Sequence, residues 1–132
     1  MADHTASCRC GQLRATVTGD PVRVSVCHCL DCKRRSGSAF AYGATYKEEQ
    51  VEANGPARTF RRCGDEGYWC ELSFCPDCGS TVTYRIERRP GMVTVPVGTF
   101  ADPDFPEPTV SVYGERRHKW CVLATDGPLE EM

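Results

Sequence analysis

Cysteine dominates the chemistry this chain could perform. Ten of its 132 residues are cysteines, and most fall into three tight groups. Cys8-Arg9-Cys10-Gly11 is a C-x-C pair followed by glycine. Cys27-His28-Cys29-Leu30-Asp31-Cys32 places three thiols around one imidazole. Cys75-Pro76-Asp77-Cys78-Gly79 is a C-P-x-C-G knuckle. The knuckle is the most specific signal, because two thiolates three positions apart reach one tetrahedral zinc at about 2.3 Å. The glycine after it permits a left-handed turn, whose amides can donate to the sulfurs. A knuckle supplies only two ligands. Cys8 and Cys10, also followed by glycine, are the natural complement. Together Cys8, Cys10, Cys75 and Cys78 make a closed four-thiolate site of the structural type.

With those four assigned, Cys27, Cys29 and Cys32 remain as a set of three. Three ligands and an open fourth position is the arrangement of a catalytic zinc. The open position can take water or a substrate atom. Cys27 ends a strand-like run and Cys32 falls in a helical turn. A helix N-terminus and nearby Lys33, Arg34 and Arg35 favour thiolates there. Alternation along a strand end turns His28 away from Cys27 and Cys29, so His28 reads as a supporting or structural residue. A labile disulfide between two of the three thiols stays open as an alternative, since an open thiolate site can oxidise when metal is lost. A thiol redox protein and a zinc-binding module without turnover are the competing functional readings. Cys63 and Cys70 flank the Gly64–Gly67 turn and could face each other across it, as buried thiols or as a disulfide. Cys121 reads as core.

The elements that must position these groups are short strands separated by turn residues. Leu13–Val17 and Val22–Val26 alternate, and the second runs directly into Cys27. Further strands are expected at Ala39–Tyr46, Thr81–Ile86, Met92–Val97, Thr109–Tyr113 and Trp120–Leu123. Thr59–Arg61 and Tyr68–Phe74 read as the arms of a hairpin. The best helix candidate is the single turn Leu30–Arg35. Asp102-Pro103-Asp104-Phe105-Pro106-Glu107-Pro108 is a stiff loop whose prolines exclude regular pairing. Strands about ten residues apart, with turn signals between them, indicate an all-β fold. The length and the absence of repeats or linkers indicate a single domain over residues 1–132.

Composition narrows the partners. Net charge is −2, which argues for neither nucleic acid nor a membrane surface. Basic and aromatic residues are not interleaved as a nucleic-acid surface requires. No apolar run approaches the ~20 residues that span a bilayer, and MADHTASCRCG has no apolar leader core. A cytoplasmic location is the default expectation, where clustered thiols are read as metal-binding or catalytic before they are read as disulfides.

The three cysteine motifs, in this order, resemble the signature of the glutathione-dependent formaldehyde-activating enzymes, a family that includes the centromere protein V type. Arg34–Gly37, Gly98-Thr99-Phe100 with Asp102-Pro103, and Trp120 followed by Asp126-Gly127 extend the likeness over nearly the whole chain. The resemblance implies a β-tent fold, two antiparallel sheets stapled by zinc. It implies a structural zinc on Cys8, Cys10, Cys75 and Cys78, and a second, exchangeable zinc on Cys27, Cys29 and Cys32. It implies carbon–sulfur lyase activity, joining glutathione and formaldehyde to give S-hydroxymethylglutathione. The expected partners are therefore a small thiol such as glutathione and an aldehyde. A homodimer is left open. Glutathione carries two carboxylates, for which Lys33, Arg34, Arg35, Arg61 and Arg62 are the candidate basic residues. The chain departs from the resemblance at Ser111, where some members carry His. No residue stands out as a general base.

Overall fold

A computed structural model describes residues 3–64 and 66–132. Eleven strands and one α-helix follow one another as β1 (His4–Ser7), β2 (Arg14–Val17), β3 (Arg23–Cys27), α1 (Leu30–Ser36), β4 (Ala41–Lys47), β5 (Val51–Asn54), β6 (Arg58–Cys63), β7 (Trp69–Phe74), β8 (Thr81–Ile86), β9 (Met92–Pro96), β10 (Val110–Val112) and β11 (Glu130–Glu131). They form two sheets. The smaller has the order β1-β2-β5, and the larger runs β11-β10-β3-β4-β9-β8-β7-β6. This is the all-β fold expected from the strand pattern, in the two sheets that the family resemblance implies. The pairing needs one correction. The small sheet is antiparallel, but β10 runs parallel to both β3 and β11, so the large sheet is mixed. The long irregular connection through residues 102–108 returns the chain to the β3 edge in the same direction as β3. A parallel pair needs such a crossover, whereas a hairpin turn gives only an antiparallel one.

Alternation decides which side chains meet. Ala6, Ala15 and Val17 of the small sheet pack against Val24, Ala44, Tyr46 and Val95 of the large one, forming the buried core. The intervening residues Arg23, Ser25, Thr45 and Thr94 face the other way and line a cavity. At the edge of the core, Phe100 and Phe105 stack with centroids 4.9 Å apart, and His4 meets Phe105 edge-on. The proline-rich loop is irregular, as its composition requires, and Phe105 anchors it.

Several strands differ from their expected places. Trp120–Leu123 is not a strand. Trp120 and Val122 are 73% and 82% exposed, and only Cys121 between them is buried. One inward side chain gives little reason to pair, and the β10 edge is taken instead by Glu130–Glu131. Strands β1, β5 and β11 have few β-branched or aromatic residues and give no alternating signal in sequence. The β6–β7 hairpin forms, but Cys63 stands opposite Trp69 and Cys70 opposite Arg62. Neighbouring positions alternate faces, so Cys63 and Cys70 point to opposite sides of the hairpin instead of towards each other. Asp65, counted in its turn, lies outside the described residues.

One glycine is set by close approach. Gly43 lies in β4 under the Tyr84 ring, and a Cβ there would come within 2.8 Å of Thr94 Cγ2 and 2.9 Å of Tyr84 Oη. The Tyr84 hydroxyl end and the Thr94 methyl therefore occupy the space that a side chain at position 43 would need. Gly43→Ala is expected to lower the unfolding free energy by about 1–3 kcal/mol, the usual cost of overpacking. An unchanged urea midpoint would refute this account of the contact.

Candidate metal centres and cavity

The four-cysteine set is assembled from two glycine-assisted turns. Cys8 and Cys10 follow β1, where the Gly11 amide donates to the Cys8 carbonyl and Gly11 takes φ +88°. Cys75 and Cys78 lie between β7 and β8, where the Gly79 amide donates to the Cys75 carbonyl with φ +81°. The four sulfurs lie within 4.8 Å of one another. Cys10 Sγ is 3.6 Å from both Cys8 Sγ and Cys75 Sγ. A tetrahedron with metal–sulfur bonds of about 2.3 Å has edges of about 3.8 Å, so this spacing fits one ion. The surroundings supply donors to sulfur. The Leu13 amide reaches Cys8 Sγ at 3.2 Å, and Gln12 Nε2 reaches Cys10 Sγ at 3.2 Å while also donating to Asp77 Oδ2 at 2.6 Å. The Ser80 amide and hydroxyl hold the Cys78 thiol down at about 5. Cys8 and Cys75 are buried and Cys78 is half-buried, while Cys10 brings one corner of the set to the surface.

The three-cysteine set is built where β3 runs into α1. Cys27 ends the strand, Cys29 caps the helix, and Cys32 lies in its first turn. The Cys32 amide donates to Cys29 Sγ at 3.2 Å, a side-chain cap that fixes the loop between them. The helix ends at Gly37 in the left-handed conformation, φ +64°. All three sulfurs lie within 4.8 Å of one another. Hydrogen bonds from Cys27 and then Cys32 hold the Cys29 thiol far down, at about 2, while the bond to Cys29 pushes Cys27 up to about 11 and contact with Cys27 and Cys29 pushes Cys32 up as well. His28 is fully buried on the other side, packed against Phe40, and is not part of the set. Its amide donates to the Val112 carbonyl, tying the loop to β10. Among the described residues, both ring nitrogens and the Ser111 hydroxyl lack hydrogen-bond partners.

The two sets differ in what lies beside them. The three-cysteine set opens into a cavity of about 540 Å³ above the polar face of the large sheet, within the range of small-molecule sites. Arg35 of α1 reaches into it with its guanidinium over the Tyr84 ring, 4.3 Å from the centroid. Burial pushes the Tyr84 phenol above its ordinary value. Cys70 also lines the cavity, and burial pushes its thiol up.

Of the basic residues singled out in sequence, only Arg35 lines this cavity. Lys33 donates to the Arg116 carbonyl, Arg61 pairs with Glu71 and stacks on Trp69, and Arg62 pairs with Asp31 at 3.2 Å. The cavity arginines that sequence reasoning missed are Arg23, Arg88 and Arg89. Arg23 could have been found, because it shares the parity of Cys27 on an alternating strand. Arg88 and Arg89 arrive through a turn whose placement no local pattern reveals. All ten cysteines are free thiols.

These features define a small two-sheet β protein with one four-thiol centre and one three-thiol centre that opens into a cavity. The family model described as "Glutathione-dependent formaldehyde-activating enzyme" matches residues 3–116. The chain belongs to that family. Among solved structures, three chains match. One is the crystal structure of a Rhodobacter sphaeroides protein, 20% identical, with a TM-score of 0.59, covering 75% of this chain and 91% of that one. That likeness concerns the fold. No curated protein matches the chain. Among the described residues, no helix is long and apolar enough to cross a membrane.

The donor geometry gives a direct test. Titrated with Co²⁺ under reducing conditions, the wild-type chain is expected to take up one ion per cysteine set, read from thiolate-to-cobalt absorption. Cys29→Ala should lose one equivalent and stay folded. Cys75→Ser should give insoluble or metal-poor protein, and a soluble Cys75→Ser variant with full metal content would refute the four-cysteine assignment.

Proposed function

We propose that this chain is a zinc-dependent carbon–sulfur lyase that forms or cleaves a thiol–aldehyde adduct such as S-hydroxymethylglutathione. The carrying observation is the contrast between the two cysteine sets: one a full set of four from two turns, the other a set of three facing a cavity of small-molecule size. Family membership supports the choice of glutathione and formaldehyde, which the family's description names.

In this reading Cys8, Cys10, Cys75 and Cys78 hold a structural zinc, and Cys27, Cys29 and Cys32 hold a second, exchangeable one. Zinc at the second set would supply Lewis acidity, which lowers the pKa of a thiol and stabilises developing negative charge on oxygen. The all-thiolate donor set suits zinc among the biological divalent ions.

The chain's own residues do the rest. Forming the adduct makes one bond, between the thiol sulfur and the aldehyde carbon. The aldehyde π bond opens, and the thiol proton is replaced by one on the new hydroxyl. Atoms balance without an oxidant or a second substrate. The β3–α1 junction holds the three sulfurs together, through the Cys29 cap and the His28 amide. The hydrophobic side of the cavity, with Trp69, Ile86 and Met92, excludes water from the encounter. Tyr84 and Arg35 stand beside the set as donors towards oxygen. With the phenol pushed up by burial, Tyr84 keeps its proton at neutral pH and can donate it. Thiols add to formaldehyde readily, so catalysis here is chiefly a matter of holding two small molecules in one orientation.

The experiment is the loss of free formaldehyde in the presence of glutathione. Zinc-loaded protein is expected to accelerate it above the uncatalysed rate, and Cys29→Ala, which leaves the four-cysteine set intact, should return it to background. A wild-type rate equal to background would overturn the lyase reading in favour of a thiol carrier.

A further inference from the structure

The cavity has two chemically different ends. Strand β3 forms one wall and aims Arg23, Ser25 and Cys27 into it, while Val24 and Val26 are buried on the other face. Cys27 belongs to the sulfur end. Arg23 lies four residues earlier, about 13 Å away along a strand that rises about 3.3 Å per residue. In register across the sheet, Thr45 lies beside Arg23, Thr94 beside Thr45, and Tyr84 beside Thr94, so a polar row crosses the cavity floor at this level. Arg89, in the turn between β8 and β9, lines the same cavity.

The arginines of this chain are used unequally. Arg35 stacks on Tyr84, Arg61 is committed to Glu71 and Trp69, Arg62 to Asp31, Arg85 to Glu48, and Arg88 stacks on Tyr68. Among the described residues, no carboxylate forms an ion pair with Arg23 or Arg89. Arg23 Nε is buried without a hydrogen-bond partner, and its Nη1 reaches only the Met132 thioether, 3.7 Å away. Burial, and then the charge of Arg89, lowers the Arg23 guanidinium from its ordinary value, while Tyr84, Cys27 and Glu130 pull it the other way by smaller amounts. Two neighbouring guanidiniums, one with a buried donor left unused, are costly in isolation. A carboxylate between them would satisfy both.

We propose that Arg23 and Arg89 form a carboxylate subsite that selects thiols whose carboxylate stands at least a peptide unit from the sulfur. This rests on the reading of the three-cysteine set as the thiol end. Cysteinyl peptides such as glutathione meet the requirement. Free cysteine, with both groups on one residue, does not, because an extended residue spans only about 3.3–3.6 Å. Uncharged small thiols lack the second group.

Calorimetric titration of the metal-loaded protein tests it, with glutathione, glutathione diethyl ester and 2-mercaptoethanol as probes. Glutathione is expected to bind roughly tenfold or more tightly than its diester, the scale of one charge-assisted contact in a partly dry site. Arg89→Gln, in a turn where folding is least at risk, should weaken glutathione by a similar factor and leave the diester unchanged. Arg23→Gln should do the same, and Arg23→Lys should restore part of the loss. Equal affinity for acid and diester, equal weakening of both by Arg89→Gln, or no binding of glutathione by wild type would each overturn the subsite. The outcomes separate from those of the lyase reading. Carboxylate-dependent binding without formaldehyde consumption keeps the subsite and removes the lyase. Turnover that is indifferent to esterification does the reverse.

Discussion

Everything in this molecule is arranged around the meeting of four sulfurs drawn from opposite parts of the chain. Cys10 and Cys75 are 65 positions apart in sequence and 3.6 Å apart in space. Closing so long a loop costs chain entropy, and bringing four ionisable thiols together adds electrostatic cost. A single divalent cation held there would offset both. A structural zinc contributes on the order of 10–16 kcal/mol, against a net domain stability of about 5–15 kcal/mol. On those magnitudes, filling the site with zinc would be one equilibrium with folding the domain. The core is consistent with this, being built largely from alanines and valines between the two sheets. Such small side chains bury little area each, and the metal set closes the end where β1 meets the β7–β8 turn.

With that end fixed, the large sheet is free to serve two purposes on its two faces. One face is apolar and packs the core. The other carries arginine, serine, threonine and cysteine over a cavity. Strand period enforces the division, since successive side chains cannot share a face. The price of the arrangement appears at Gly43, where the space for a side chain is given up to the Tyr84 hydroxyl end and the Thr94 methyl. Tyr84 in turn supports Arg35, which leans over the ring beside the three-cysteine set. A backbone feature of β4 thus reaches the open site through two side-chain contacts.

The cysteine sets were readable in sequence because thiolate ligation is local: C-x-C-G, C-x-x-C-G and the C-x-C-x-x-C run each form a turn that brings sulfurs together before any tertiary contact. The central strands were readable for the same reason, since Val24 and Val26, or Val93 and Val95, announce their buried face by alternation. The failures share a cause too. β1, β5 and β11 owe their existence to neighbours and not to propensity. The parallel pairing of β10 depends on where a proline-rich crossover returns. Cys63 and Cys70 were placed on one side by their distance from a turn, but register assigns them to opposite faces. The same limit hid the cavity charges. Lys33 to Arg35 are conspicuous as a run, yet two of the three point elsewhere, whereas Arg23 and Arg89 are separated in sequence and are brought to one cavity only by the fold.

The same donor, cysteine, performs two opposite tasks here, and position alone separates them. In the four-cysteine set each sulfur comes from a turn and the fourth corner is filled by the chain itself. In the open set the fourth corner would fall to His28 if the chain continued as a loop. It does not, because β3 stays extended through Cys27 and the His28 amide is taken by the Val112 carbonyl. That bond turns the imidazole into the protein interior and leaves Cys29 to cap α1 with its sulfur. The incompleteness of the open set is therefore a consequence of strand alternation followed by a helix cap. An unfilled corner facing a cavity is what an exchangeable ligand requires, and a thiol is the ligand that three thiolates and a soft cation would accept most readily.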